Sequence, residues 1–289
     1  MPASVIAFLE WLVRSAWGTV FAVLWGAMWG SFANVCIHRL PLGQSVVRPG
    51  SRCPSCSQPI AWFDNIPILS FLLLRGRCRH CAAAISGRYP LIEMLAALLC
   101  FLTFWRFVQH AGTDEPLALQ LARCVVYGPF LLLLLVLSAI DLEHQLLQDR
   151  LTLPAIGLFF GAGRILGDVS LGDSLLGIVV GYGLVWLISE AYYRMTGRDG
   201  LGLGDGKLLA LVGATLGARA LPWTLLVGSV LGTLVALPVL LWRRRREPTT
   251  SIRHVAIPFG PFLSLAAAIY LLLLLGKSLD EILAYVPVY

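Results

Sequence analysis

Two aspartates stand where an apolar run meets polar sequence. Asp141 closes the long apolar stretch in SAIDLEHQLLQDRLTLP, and Asp205 sits among Gly202, Gly204 and Gly206 in DGLGLGDGKLLALVGA, immediately ahead of Lys207 and a glycine-rich apolar segment. An acid inside or beside such a segment is costly if it faces lipid, which makes it a functional candidate. Two carboxylates facing each other cannot both ionise and so share a proton. One takes a proton from water while the other, protonated, polarises a carbonyl, and together they can hydrolyse a peptide bond. The glycines beside Asp205 remove side chains and let a substrate backbone come close. Asp149 lies eight residues after Asp141, so the residues alone leave open which acid partners Asp205, and whether the others serve an ion path or cap a helix. Glu93 and Glu190 lie within or near apolar segments as well; either a functional role or an arginine partner would account for Glu93. LGLGDGK lacks the spacing of a phosphate-binding P-loop and opens no Rossmann unit.

A second constellation is made of sulfur. CPSC (53–56) and CRHC (78–81) are separated by 21 residues, and two CxxC pairs at such a distance supply four thiolates, Cys53, Cys56, Cys78 and Cys81, able to close a tetrahedral structural site, most often around zinc. His80 lies between two of them but is not needed once four sulfurs fill the site. A loop of this length with few large apolar runs buries little core, so metal binding would supply much of its folding free energy. Paired redox thiols or cross-loop disulfides are the rival readings. Cys36, Cys100 and Cys124 fall in or at the ends of apolar helices and read as filler.

The elements that must position these groups are membrane helices. Of 289 residues, 58% are apolar and only 13% charged, a balance that nearly excludes a soluble enzyme. Eight apolar stretches are candidates to span, at roughly 16–37, 90–108, 119–140, 151–167, 174–193, 207–221, 222–242 and 257–276. Glu10 and Arg14 occupy the region where a cleaved signal peptide would keep a simple basic start, so the first stretch reads as a retained helix. Arginine placement orients the bundle: the breaks on one side hold sixteen of the basic residues, Arg39 to Arg88, Arg150, Arg194, Arg198, Lys207, Arg243 to Arg246 and Arg253, against six on the other, Arg14, Arg106, Arg123, Arg164, Arg219 and Lys277. This positive-inside bias places the cysteine loop and both aspartates in the cytoplasm and both termini outside it. Gly157, Gly161, Gly163 and Gly167, and Gly177, Gly181 and Gly183, suggest close helix contacts. The expected organisation is an all-α polytopic membrane protein with a first transmembrane segment at 1–38, a cytoplasmic four-cysteine metal-binding loop domain at 39–89 and a helical bundle at 90–289.

Taken together the motifs resemble the bacterial prepilin leader peptidase/N-methyltransferase family. The similarity runs through GSFANVCIHRLP (30–41), CPSC with IAWFDNIPILS (60–70), GRCRHC with ISGRYPLIE (85–93), AIDLEHQLLQD (139–149), GLGDGKLLALVGA (202–214) and IPFGP (257–261). It implies a GxGD-type aspartyl protease bundle in the inner membrane, with Asp141 and Asp205 as the catalytic pair and Asp149 on a further motif position. It also implies zinc on the four cysteines, prepilin and pseudopilin precursors as partners, and S-adenosylmethionine as donor for methylating the amine exposed by cleavage. Membrane lipids are the other expected contact, and no nucleic acid is. Two positions depart from the family pattern. Gln148 stands where proline usually precedes the last acid, and Gly206 stands where a bulkier residue often follows Asp205, which leaves space beside that carboxylate. Asp64, Glu143, Asp149 and Asp199 are expected docking points for a basic leader. A presenilin-type protease that cuts within the bilayer and a polytopic transporter with acid-lined path are the competing classes; the cysteines and the place of Asp141 just past a helix argue for a cut at the cytoplasmic boundary instead of the first, and the second leaves the cysteine quartet and the aspartate pair without a joint purpose.

Overall fold

The computed structural model describes residues 3–111, 115–197, 202–246 and 258–276, so Asp199, Arg198, Arg253 and Lys277 lie outside the described residues. The chain divides into two compact units, Met1–Val136 and Leu137–Tyr289. Among the described residues all regular elements are helical, with only two isolated β-bridges.

In the first unit, α1 (Ala3–Arg14) and α2 (Ala16–Arg39) are joined at Ser15, whose hydroxyl caps α2 by accepting from the Trp17 N–H. After a loop carrying a 3-10 turn (Trp62–Asn65) and the short α3 (Leu69–Leu73), α4 (Arg88–Phe104) packs against α2. The packing is tight because Gly26 and Gly30 face it. A Cβ on Gly26 would lie 2.7 Å from the Ala96 carbonyl oxygen, and one on Gly30 would lie 2.7 Å from the Glu93 Cα. This Gly-x-x-x-Gly pair lets two backbones meet where lipid offers no hydrophobic drive to association.

The unit boundary falls within α5 (Leu117–His144). The second unit continues with α6 (Asp149–Leu166), α7 (Leu171–Thr196), α8 (Leu203–Leu216), α9 (Ala220–Arg246) and α10 (Gly260–Ile269). Its core is α8, buried continuously from Leu208 to Leu216 and packed against α6, α7, α9 and α10. α7 approaches α8 through glycine. A Cβ on Gly213 would sit 2.3 Å from the Gly177 carbonyl carbon, and one on Gly181 would sit 2.7 Å from the Leu209 carbonyl. Gly157, Gly161, Gly163 and Gly183 have nothing within 4 Å of an added Cβ; close packing falls on Gly177 and Gly181 alone of the two series. Gly167 ends α6 in the left-handed conformation, φ 71°, the usual service of glycine at a helix C-terminus.

Five helices among the described residues are long and apolar enough to cross a membrane: Ala16–Arg39, Arg88–Gln109, Leu117–His144, Leu171–Thr196 and Ala220–Trp242. The stretches at 151–167, 207–221 and 257–276 supply α6, α8 and α10, which are shorter or less uniformly apolar. The protein is therefore an all-α polytopic membrane protein.

Candidate functional site

Asp141 and Asp205 both belong to the second unit, on helices far apart in sequence. Asp141 stands in the last turn of α5, only 6% exposed, and its Oδ2 accepts the backbone N–H of Gly260 at 3.0 Å. Gly260 opens α10, so this N–H is one of the donors a helix N-terminus leaves without an intrahelical partner. A Cβ at Gly260 would come within 2.7 Å of the same oxygen, so only glycine lets the amide approach. The IPFGP motif contained this residue, but nothing in the sequence tied it to a carboxylate 119 positions earlier.

Asp205 lies in the first turn of α8, outside the five long apolar helices. Burial raises its carboxyl to about 6, and the neighbouring Asp141 carboxylate adds to the rise. Asp141 is thus near enough for its charge to act on Asp205. Asp149 is placed differently: in the first turn of α6 it forms an ion pair with Lys207, and its side chain is 57% exposed. The structure brings Asp149 to Lys207, and Asp205 to Asp141.

The flanking glycines do not all serve one purpose. Gly202 is the N-cap of α8 and has nothing within 4 Å of an added Cβ, whereas a Cβ on Gly204 would lie 3.0 Å from the Cβ of Leu147. Gly204 thus admits the chain's own segment between α5 and α6. The space expected beside Asp205 at Gly206 is taken up by α7, since a Cβ there would meet Val185 at 3.2 Å and Tyr182 at 3.4 Å. Gln148, in place of proline, caps α6 with φ −76°, within the range that a proline ring imposes, so the turn keeps its shape.

In the first unit the four cysteine sulfurs lie within 4.8 Å of one another, with Cys53 and Cys81 3.8 Å apart. The two CxxC turns are built alike. Cys53 N–H donates to the Gln58 carbonyl and Ser57 N–H to the Cys53 carbonyl; Cys78 and Ala82 repeat the pattern with Ala83 and Cys78. Ser57 and Ala82 both turn into the left-handed region, at φ 57° and 55°. Each turn aims backbone N–H groups at its first sulfur. The Cys56 and Ser55 amides bring the Cys53 thiol down to about 6, and those of Cys81 and His80 lower Cys78. The Gln58 amide also favours ionisation of Cys56, but burial and the sulfurs of Cys53, Cys81 and Cys78 outweigh it and push that thiol up to about 11. Four sulfurs this close cannot all ionise without a cation among them, and the set fits a tetrahedral metal. The cluster is capable of coordinating a metal ion.

Around it, Arg79 makes a bidentate pair with Asp64, at 2.7 and 2.5 Å, and Arg39 ties the loop together by donating to the carbonyls of Ser45, Pro49 and Gly50. Asp64 and Asp149 already carry cationic partners, which weakens both as docking points for a basic peptide.

Glu93, 8% exposed on α4, accepts the Ile68 N–H at 2.7 Å and a hydrogen bond from Ser31. Ile68 holds a left-handed φ of 62°, a strained position for a β-branched residue, and the Glu93 carboxylate fixes it there. Asn34, one turn beyond Ser31 on α2, donates from Nδ2 to the Tyr89 carbonyl at 3.0 Å. Its Oδ1 is buried and accepts no hydrogen bond. Ser31, Asn34 and Glu93 share a cavity of about 520 Å³ with residues of the cysteine loop. Asn34 was not singled out in the sequence, where one asparagine in GSFANVCIHRLP looks like any polar residue near a helix end.

Two family models and several named proteins are similar to this chain. The family model "Bacterial Peptidase A24 N-terminal domain" matches residues 24–107 and "Type IV leader peptidase family" matches residues 129–237. A protein of Aeromonas hydrophila named prepilin leader peptidase/N-methyltransferase is 38% identical over 299 aligned positions, covering 94% of each chain. Proteins of the same name from Pseudomonas aeruginosa and Klebsiella pneumoniae are 37% and 42% identical, covering 86% and 74% of this chain and 88% and 91% of their own. No solved structure matches the chain.

Proposed function

We propose that this chain, which belongs to the type IV leader peptidase family, removes the basic leader of prepilin and pseudopilin precursors after a glycine at the cytoplasmic face of the inner membrane and then N-methylates the exposed residue. The observation that carries the peptidase reading is a buried Asp205 raised further by the charge of Asp141, with an amide donated to Asp141 from the start of α10.

The geometry suggests distinct roles. Asp141, accepting an N–H, is the carboxylate, and Asp205, whose proton is held up to about pH 6, is the acid. Water adds to the scissile carbonyl carbon as its proton passes to Asp141 and the carbonyl oxygen takes the proton of Asp205. The tetrahedral diol then collapses and the C–N bond breaks; the leaving nitrogen takes the proton from Asp141, and Asp205 recovers its own. Asp149 and Lys207 stabilise the entrance to α6 and α8 and handle substrate only indirectly.

Zinc on Cys53, Cys56, Cys78 and Cys81 cross-links the two CxxC turns and so holds the 39–89 loop domain in shape. S-adenosylmethionine, when bound, supplies an electrophilic methyl group; the protein's part is to hold the new amine uncharged and aligned. The eight apolar stretches and the sixteen-to-six bias of basic residues support eight spans with both termini in the periplasm; the segment 1–38 is then the first span and 90–289 the peptidase bundle.

The test is intact-mass analysis of a purified prepilin incubated with detergent-solubilised protein, with and without S-adenosylmethionine, beside Asp141→Asn and Asp205→Asn. Leader loss abolished by either substitution, and a single donor-dependent methyl on the product, are expected. Cleavage at the wild-type rate by a folded Asp205→Asn protein would refute the dyad.

A further inference from the structure

We propose that α3 is a membrane anchor rather than a water-facing surface, a role apart from leader cleavage: Leu69, Leu72 and Leu73 dip into the lipid leaflet where the cysteine loop emerges, and Arg75 and Arg77 rest on its anionic headgroups.

The depth of α3 follows from α4. The apolar helix Arg88–Gln109 has 22 residues, about 33 Å at 1.5 Å each, which matches a hydrocarbon core of about 30 Å. Arg88 therefore marks one edge of that core. Glu93 lies five residues further along, about 7–8 Å down the axis, and its carboxylate accepts the N–H of Ile68 at 2.7 Å. Ile68 is the residue from which α3 starts. The short helix is thus held level with the second turn of α4, below the rim on which a water-exposed loop would rest. An amphipathic helix lying in a membrane surface buries its apolar face about 5–10 Å into the headgroup and acyl boundary, which is the same depth.

The two faces of α3 are sorted to match. Ser70 is buried and its hydroxyl donates to the carbonyls of Phe63 and Ile66, while the Phe71 ring covers Gly76, where an added Cβ would meet it at 3.1 Å. These contacts fix the inner face. Leu69, Leu72 and Leu73 are spaced to share the other one, and they are 49%, 65% and 73% exposed. Side chains this open are a liability in water and none in lipid. Through Ser70, α3 is tied to the 3-10 turn that carries Trp62, an exposed indole of the type that gathers at membrane interfaces.

Charge favours a lipid surface over a soluble protein as the occupant. From Asn65 to Ile92 the chain holds four arginines and no acid. Arg79 is taken by Asp64, whereas Arg75 and Arg77, directly after α3, are exposed and have no acid opposite them among the described residues. Leucines followed at once by open guanidinium groups fit an acyl layer capped by phosphates. A soluble partner would have to reach a patch held below the edge of the core.

The test is fluorescence quenching of the full-length protein reconstituted in bilayers of phosphatidylcholine and phosphatidylglycerol. Leu72→Trp places an emitter on the open face of α3, read as the difference from wild type. That emission is expected to be blue-shifted, quenched by lipids brominated near the top of the acyl chain and indifferent to aqueous acrylamide. At equal mole fraction, brominated phosphatidylglycerol should quench more than brominated phosphatidylcholine, reflecting the roughly fivefold enrichment that one arginine near a headgroup layer supplies. The excess should vanish when Arg75→Gln and Arg77→Gln are combined. Melting temperature and bound zinc report the fold, and Leu73→Trp carries the same measurement if Leu72→Trp does not fold. Red-shifted emission that acrylamide quenches and brominated lipid does not would overturn the anchor and leave the patch to a soluble partner. Lipid quenching without headgroup preference, or a preference that survives the loss of both arginines, would overturn their part in it.

Discussion

Replacing Gly213 with alanine tests whether α8 is positioned by backbone contact with α7. The added Cβ would lie 2.3 Å from the carbonyl carbon of Gly177, against an ordinary contact of 3.4 Å or more. The two helices must therefore part locally by about 1 Å, because the atom opposite is backbone and cannot swing aside. Overpacking costs about 1–3 kcal/mol, and a backbone-to-backbone clash belongs at the upper end, equivalent to roughly 6–12 °C in melting temperature for a chain of this size. α8 carries Asp205 in its first turn, so the displacement also reaches the chemistry, where a misplacement of about 1 Å can cost on the order of 100-fold in rate. Gly183→Ala is the matched control on α7, with nothing within 4 Å of its Cβ; its only effect should be the small gain, about 0.5–1 kcal/mol, of alanine over glycine in a helix. Thermal unfolding followed by tryptophan fluorescence, with leader cleavage on the same samples, measures both. Equal melting temperatures and equal rates for the two variants would refute the claim that glycine contact sets α8.

Three further outcomes are expected. Asp205→Asn should be more stable than wild type while losing roughly 10²–10⁴-fold in cleavage. The folded carboxyl titrates near 6, against about 3.9 in an unfolded chain. Ionisation thus opposes folding above the lower value, and the gain should be absent near pH 4, grow through pH 6 and level off at about 3 kcal/mol by pH 8; a gain independent of pH in thermal melts would contradict it. Cys78→Ser should abolish equimolar zinc binding and expose residues 39–89 to limited proteolysis, and full zinc retention by atomic absorption would exclude the four-sulfur site. Asp149→Ala should slow cleavage far less than Asp141→Ala, since its exposed pairing with Lys207 contributes little; complete loss in a folded Asp149 variant would reverse the ranking.

The aspartates and cysteines were legible because their signals are local. Spacing within CPSC and CRHC dictates a turn that collects sulfurs, and an acid at the end of an apolar run is conspicuous whatever surrounds it. Partners were not legible. Gly177, Gly181 and Gly183 look alike in an apolar helix, yet two face α8 and one does not. In a membrane segment the face turned to lipid is as apolar as the face turned to protein, so the amphipathic stripe that orients a soluble helix is missing. For the same reason nothing in the sequence marks Gly26 and Gly30 as the contact with α4. Gly260 matters through a main-chain amide brought to a carboxylate from a distant segment, and no side-chain type announces it. Gly206 misled in the opposite direction, because a missing side chain reads as space until the neighbouring helix is known to fill it.

The bond from Gly260 to Asp141 also places the enzyme's assembly in time. Synthesis delivers Asp141 first, Asp205 next and Gly260 last, 119 residues after the carboxylate it holds. A nascent chain that has inserted α5 through α9 owns both acids but lacks the amide that holds one of them, so on the proposed mechanism hydrolytic competence would wait for α10. If the proposed pair does the cutting, neighbouring membrane chains would be spared a half-built protease until α10 has joined the bundle.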